Sequence, residues 1–100
     1  MKIYKLEQDI VNGYDTYDSC VVIAESEEDA RKIHPSEYIT HIKEGKWMGT
    51  YSHGGEYETE NNEHSTWVHF EDIDQIIVTC LGTVKEGIKR GVVIASFHAG

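Results

Sequence analysis

No apolar run in this 100-residue chain approaches the roughly 18 residues that a membrane-spanning helix needs. The first eight residues, MKIYKLEQ, lack the apolar core of a signal peptide. The expectation is a protein that stays where it is made, in a cytoplasm. Positive charge is also scarce: nine Lys and Arg stand against eighteen Asp and Glu, a formal net charge of −9. A surface of that sign repels phosphate backbones, which excludes general nucleic-acid binding while leaving a basic partner surface open.

Motifs for catalysis are missing as well. The sequence holds no Gly-x-Ser-x-Gly elbow, no Cys-x-x-Cys pair and no His-x-x-x-His pair. Its two cysteines, Cys20 and Cys80, lie in apolar strand-like runs, which reads as two buried, reduced thiols rather than a disulfide or a nucleophile. Six histidines invite a metal search, and His53 with Glu56, or Glu63, His64 and His69, are the nearest approach to a ligand set. Their spacing matches no established zinc pattern. The reading is a non-enzyme with no catalytic residue, no metal and no cofactor; a metal-dependent enzyme, kept for the sake of the six histidines, is the minor alternative.

What is present specifies a fold class. A composition of 39% hydrophobic and 27% charged residues is that of a globular domain, and 100 residues make one domain with a modest core. Ile3 to Val11 reads as a strand, and Asn12-Gly13 as a two-residue hairpin turn. Tyr17 to Ala24 follows as the second strand. Ser26-Glu27-Glu28-Asp29 opens a short helix, the serine hydroxyl capping residue 29 and the acids favoured at the positive end of the dipole. His34-Pro35 stops it. Between Pro35 and Gly45, Tyr38, Ile39 and Ile42 fit a helical face, although Tyr-Ile-Thr-His-Ile also suits a strand; a second helical turn is the reading adopted. Thr66 to Phe70 reads as a brief strand, and Gln75 to Val84 and Val92 to Phe97 as two longer ones. The sum is an α+β domain, residues 1–100, with a mainly antiparallel sheet of about four strands, one short helix on one face and a long irregular loop at about 45–66.

The apolar runs 20–24, 76–78 and 92–95 put apolar side chains on both faces of that sheet. One short helix covers one face. The other must be closed by the middle segment or by a second copy of the chain, so a homo-oligomer is expected.

The middle segment, Lys46–Trp67, contains Trp47, Tyr51, Tyr57 and Trp67, too many rings for a disordered loop. They either plug the open sheet face or line a ligand pocket. Near the other end, Lys85, Lys89 and Arg90 fall within seven positions of an otherwise acidic chain, flanked by Gly87 and Gly91. Such a turn is either solvated or a phosphate holder. Rings that stack on a base together with one local basic cluster suit a small anionic nucleotide ligand. Glu56, Glu58, Glu60 and Glu63 instead offer an acidic face to a protein partner.

MKIYKLEQ, NGYDTYDSCVVIAESEEDARKIHP and GVVIASFHAG resemble a family of small uncharacterised proteins encoded by bacteriophages, over about residues 1–35 and 75–100. The resemblance implies an accessory protein that acts by binding, in the host cytoplasm, against a host defence. It assigns no residue a role. The expected function is sequestration of a small nucleotide-type immune signal near a subunit interface, through Trp47, Tyr51, Tyr57, Trp67, Lys85, Lys89 and Arg90. The alternative is an acidic inhibitor of a host nucleic-acid-binding or defence protein.

Overall fold

The structure, a computed structural model, describes residues 1–60 and 65–98. Seven strands run in chain order: β1 (Lys2–Glu7), β2 (Thr16–Ala24), β3 (Ile39–Lys43), β4 (Lys46–Thr50), β5 (Glu56–Glu58), β6 (Ile77–Thr83) and β7 (Gly91–His98). A short helix α1 (Glu27–Arg31) follows β2, and a 3-10 helix spans Phe70–Gln75. The strands form two antiparallel sheets, one of four strands in the order β6-β1-β2-β7 and one of three in the order β3-β4-β5. The α+β class, the mainly antiparallel sheet and the single short helix are as the sequence implies.

Helix α1 begins as its capping chemistry requires. Ser26 accepts a hydrogen bond from the Asp29 N–H at 3.1 Å, and Glu27, Glu28 and Asp29 fill the first turn. Ala30 and Ile33 pack with Tyr4, Leu6, Cys20, Val22 and Ala24, which alternate along β1 and β2 and so share one sheet face. Arg31 ties the helix to the start of β6 by donating to the Ile76 carbonyl at 3.0 Å.

Four expectations about the elements are corrected. Asn12-Gly13 is not a two-residue hairpin turn, because β1 ends at Glu7 and β2 begins at Thr16. The connection is organised instead by the buried Gln8 amide. Its Oε1 accepts from the Ile10 and Val11 N–H groups, and its Nε2 donates to the Val11 and Tyr17 carbonyls. The second helical turn after Pro35 and the irregular loop at 45–66 are, over much of their length, the three-stranded sheet. The two-residue hairpin turn is there, at Glu44 (φ 52°) and Gly45 (φ 72°), where both residues adopt the left-handed region. Thr66 to Phe70 is not a strand: Tyr17 donates to the Thr66 carbonyl at 2.8 Å, and the chain then turns into the 3-10 helix.

Trp47 and Trp67 do not plug the open face of the larger sheet. They join the helix on the face it already covers, with Val68 and Ile76. The opposite face carries Ile3, Lys5 and Glu7 of β1 in register with Ile23, Val21 and Ser19 of β2, and Val21 in register with Ile94 of β7. Ile94 is 65% exposed and Ile77 61% exposed on that side. Cys80 is exposed rather than buried, while Cys20 is buried and its thiol is pushed up to about 12 by desolvation.

In the smaller sheet, Gly49 lies beneath the ring of Tyr57, its neighbour in register on β5. A side chain at position 49 would overlap that ring. Gly49→Ala should therefore lower stability by about 1–3 kcal/mol, read as a lower urea midpoint at unchanged slope.

Candidate functional site

A cleft of about 910 Å3 opens between the α1–β3 connection and the β2–β7 pair. That volume lies within the ordinary range of small-molecule sites. The rings of Tyr17, Tyr38 and Phe97 line it, Tyr17 and Phe97 being register partners with centroids 4.8 Å apart. Lys32 and Arg90 supply positive charge to the lining and Glu37 negative charge. Both cations already face carboxylates outside the lining, Arg90 on Asp29 at 2.9 Å and Lys32 on Glu28 at 3.8 Å.

Arg90 is fixed in place. Its Nε donates to both carboxylate oxygens of Asp29, at 3.0 and 2.9 Å, and its Nη2 reaches the Asp29 carbonyl at 3.4 Å. The guanidinium hydrogen bond holds the Asp29 carboxyl below the usual carboxylate range. Asp29 therefore serves two elements, accepting also from the Glu25 N–H and anchoring the start of β7 to the helix.

A smaller cavity of about 280 Å3 adjoins the cleft, sharing His34, Ser36, Tyr38, Ile39 and Trp47 with it. His34 stands between the two. Its ring meets Trp47 edge-on at 5.1 Å and Trp67 at 6.4 Å, and its Nδ1 accepts from the Ser36 N–H at 3.0 Å. Acceptance at Nδ1 puts the neutral ring's proton on Nε2. Burial pushes the imidazole down to about 3, so the ring is neutral at any pH near 7.

The residues singled out from sequence divide three ways. Trp47 and Arg90 reach the large cleft, while Trp47, Tyr57 and Trp67 border the small cavity. Both tryptophans are core residues, at 2% and 1% exposure, so neither offers an open ring face to solvent. Tyr51 lies outside both cavities, stacked on His53 at 5.2 Å and tilted against Tyr57 at 4.6 Å. Lys85 and Lys89 sit in the β6–β7 turn, exposed and outside both linings. Sequence reasoning missed Tyr17, Lys32, His34, Tyr38 and Phe97. Nothing local marks them, because strand pairing and the path after Pro35 bring them together.

The acidic residues are mostly engaged. Glu56 pairs with Lys43 and with His41 Nε2, the latter at 2.6 Å, and these hydrogen bonds lower its carboxyl below the ordinary value. Glu58 lies 2.7 Å from Lys46 Nζ. Glu60 accepts from the Trp47 N–H at 3.1 Å and the Phe70 N–H at 2.8 Å, fastening β4 to the 3-10 helix. Glu63 and His64 lie outside the described residues. Among the described residues, no group of three or more His, Cys, Asp or Glu is placed to hold a metal ion, and no helix is long and apolar enough to cross a membrane.

A scan against known families matched none, and comparisons with curated proteins and with solved structures found no match.

Because the His34 pKa is depressed in the fold, the unfolded chain binds the extra proton first. His34 should therefore withdraw stability as the pH falls from about 6.5 toward about 3, at up to about 1.4 kcal/mol per pH unit. Urea unfolding of wild type and His34→Gln across pH 7 to 4 checks this: the wild-type loss should be the steeper by about that slope.

Proposed function

We propose that this protein is a binding module that captures a small anionic ligand of nucleotide type in the cleft between its two sheets. In the phage context that the sequence resembles, capture removes a signal made by a host defence. The observation that supports this is the joint presence of Tyr17, Tyr38, Phe97, Lys32 and the oriented Arg90 guanidinium around one cleft in a chain of net −9. Rings take up a heterocycle, and a fixed guanidinium with free N–H groups takes up phosphate or carboxylate. The reading involves binding without turnover and calls for no cofactor. The alternative, an acidic inhibitor acting through Glu56, Glu58, Glu60 and Glu63, has weaker support, because three of those four carboxylates already serve internal partners.

A second copy of the chain belongs to the same proposal. The bare sheet face mixes Ile3, Val21, Ile77 and Ile94 with a balanced pair, Lys5 and Glu7, 3.7 Å apart, so two copies meet there without like-charge repulsion. Side-by-side pairing is less favoured: the β1–β6 and β2–β7 ladders both carry register shifts, which roughen the sheet's outer strands. Packing face to face covers about 800 Å2 in flat projection over two copies, the range of reversible association.

Isothermal titration with linear and cyclic nucleotides should show binding, and Arg90→Ala should weaken it by roughly tenfold. A panel that gives no heat removes the ligand reading. Sedimentation equilibrium at about 100 μM should return a mass above that of one chain, and Ile94→Asp should bring it down to a monomer. A wild-type monomer at that concentration removes the second copy.

A further inference from the structure

We propose that Thr40, His41 and Glu56 form a hydroxyl–imidazole–carboxylate triad that hydrolyses carboxylic esters at the edge of the larger cleft. Three strands assemble it. His41 of β3, Thr50 of β4 and Glu56 of β5 lie on one face of the smaller sheet, while Ile42 and Trp47 turn to the other and pack on the core. Consecutive strand residues ordinarily face opposite sides, which would part Thr40 from His41. A bulge prevents this. Ile39 and His41 pair with the adjacent residues Gly49 and Met48, so Thr40 is an extra residue on β3. Its hydroxyl oxygen lies 2.8 Å from His41 Nδ1.

The hydrogen bonds run in one direction. Lys43 and His41 hold the Glu56 carboxyl below its ordinary value, so it is ionised and can only accept. His41 Nε2, 2.6 Å away, is therefore the donor, and the neutral ring leaves Nδ1 as an acceptor. The Thr40 hydroxyl donates to that nitrogen, and the Thr50 hydroxyl, 2.7 Å from Thr40 Oγ1, donates to the Thr40 oxygen. A hydroxyl bonded to an imidazole that a carboxylate orients is the arrangement that activates an oxygen nucleophile. Thr40 is exposed, and both it and His41 line the cleft, so a substrate has access.

The reaction needs only water. As Thr40 Oγ1 attacks the ester carbonyl carbon, its proton passes to His41 Nδ1 and the carbonyl π electrons move onto oxygen, toward which the Thr50 hydroxyl turns. The bond to the alcohol then breaks, and the alcohol leaves with the proton from Nδ1. Water gives a proton to the same nitrogen, attacks the acyl-Thr40 ester and releases the carboxylic acid, and Thr40 Oγ1 recovers its proton. Glu56 touches no reacting atom; it is a positioning residue that keeps the ring in one tautomer. This activity lies beyond the capture of an anionic ligand, which calls on Lys32, Arg90 and the rings and on none of these three residues.

Hydrolysis of p-nitrophenyl acetate tests it. Wild type should be at least about tenfold faster than Thr40→Val or His41→Gln, and Thr40→Ser should keep most of the rate. Glu56→Gln should lower kcat by about tenfold or more with KM within about twofold, a split that loosened packing would not produce. Peptide mass spectrometry after brief exposure should find an acetyl group on Thr40 in wild type and none there in His41→Gln. Equal rates for wild type and Thr40→Val, or acetyl groups on lysines and histidines with none on Thr40, overturns the triad.

Discussion

Everything in this molecule is arranged around one constraint: a four-stranded sheet with apolar residues on both faces, and too little helix to cover even one. Helix α1 spans Glu27–Arg31, barely more than a turn. It buries Ala30, with Ile33 just beyond it, and leaves most of the inner face to be filled by Trp47, Trp67, Val68 and Ile76. The two indoles supply the bulk that a longer helix provides elsewhere, each covering an area that several aliphatic residues would otherwise have to cover. Bringing Trp47 there requires a scaffold of its own, and the β3-β4-β5 sheet is that scaffold. Glu60 locks it in place by bridging the backbone of Trp47 to that of Phe70. The cavities follow from this construction. Flat indoles and a small twisted sheet do not fill the space against β2 and β7 as an interdigitating helix would.

The parts legible in the sequence were those governed by neighbours along the chain. Ser26 through Asp29 announces its cap because donor and acceptor sit three residues apart. The long strands β2, β6 and β7 announce themselves through β-branched runs. The β3–β4 hairpin was harder to see. Its turn uses Glu44 in a left-handed conformation, where glutamate is uncommon, and Tyr-Ile-Thr-His-Ile satisfies a helical and an extended period alike. The Asn12-Gly13 pair points to a tight turn, but the Gln8 amide, three residues before Val11, takes the Val11 N–H and C=O that such a turn would pair across. Cys80 sits in an apolar run yet is exposed, because β6 lies at the rim of its sheet.

The candidate site was legible only in part, for a related reason. Aromatic content marked the middle segment as ordered, and Arg90 stood out as a cation in an acidic chain. Whether a ring faces a ligand or a core depends on the partner strand, and pairing between β2 and β7 spans most of the chain. Tyr17 meets Phe97 across that distance, and no local pattern records it. The charge map behaves similarly. Glutamates at 56, 58 and 60 read as a free acidic face until the strands place Lys43, Lys46 and two backbone N–H groups beside them.

Gln8 has a wider meaning. One carboxamide closes the whole connection between the first two strands, gripping it at Ile10, Val11 and Tyr17. Gly13 (φ 104°) and Asp15 (φ 60°) hold its backbone in the left-handed region, and Thr16 donates to the Gly13 carbonyl at 2.9 Å. The exposed side chain of Tyr14 takes part in none of these bonds. A lineage under pressure to change its outward appearance could rewrite position 14 while the amide at 8, the glycine at 13 and the hydroxyl at 16 are kept. The loop is a fixed frame with one interchangeable panel.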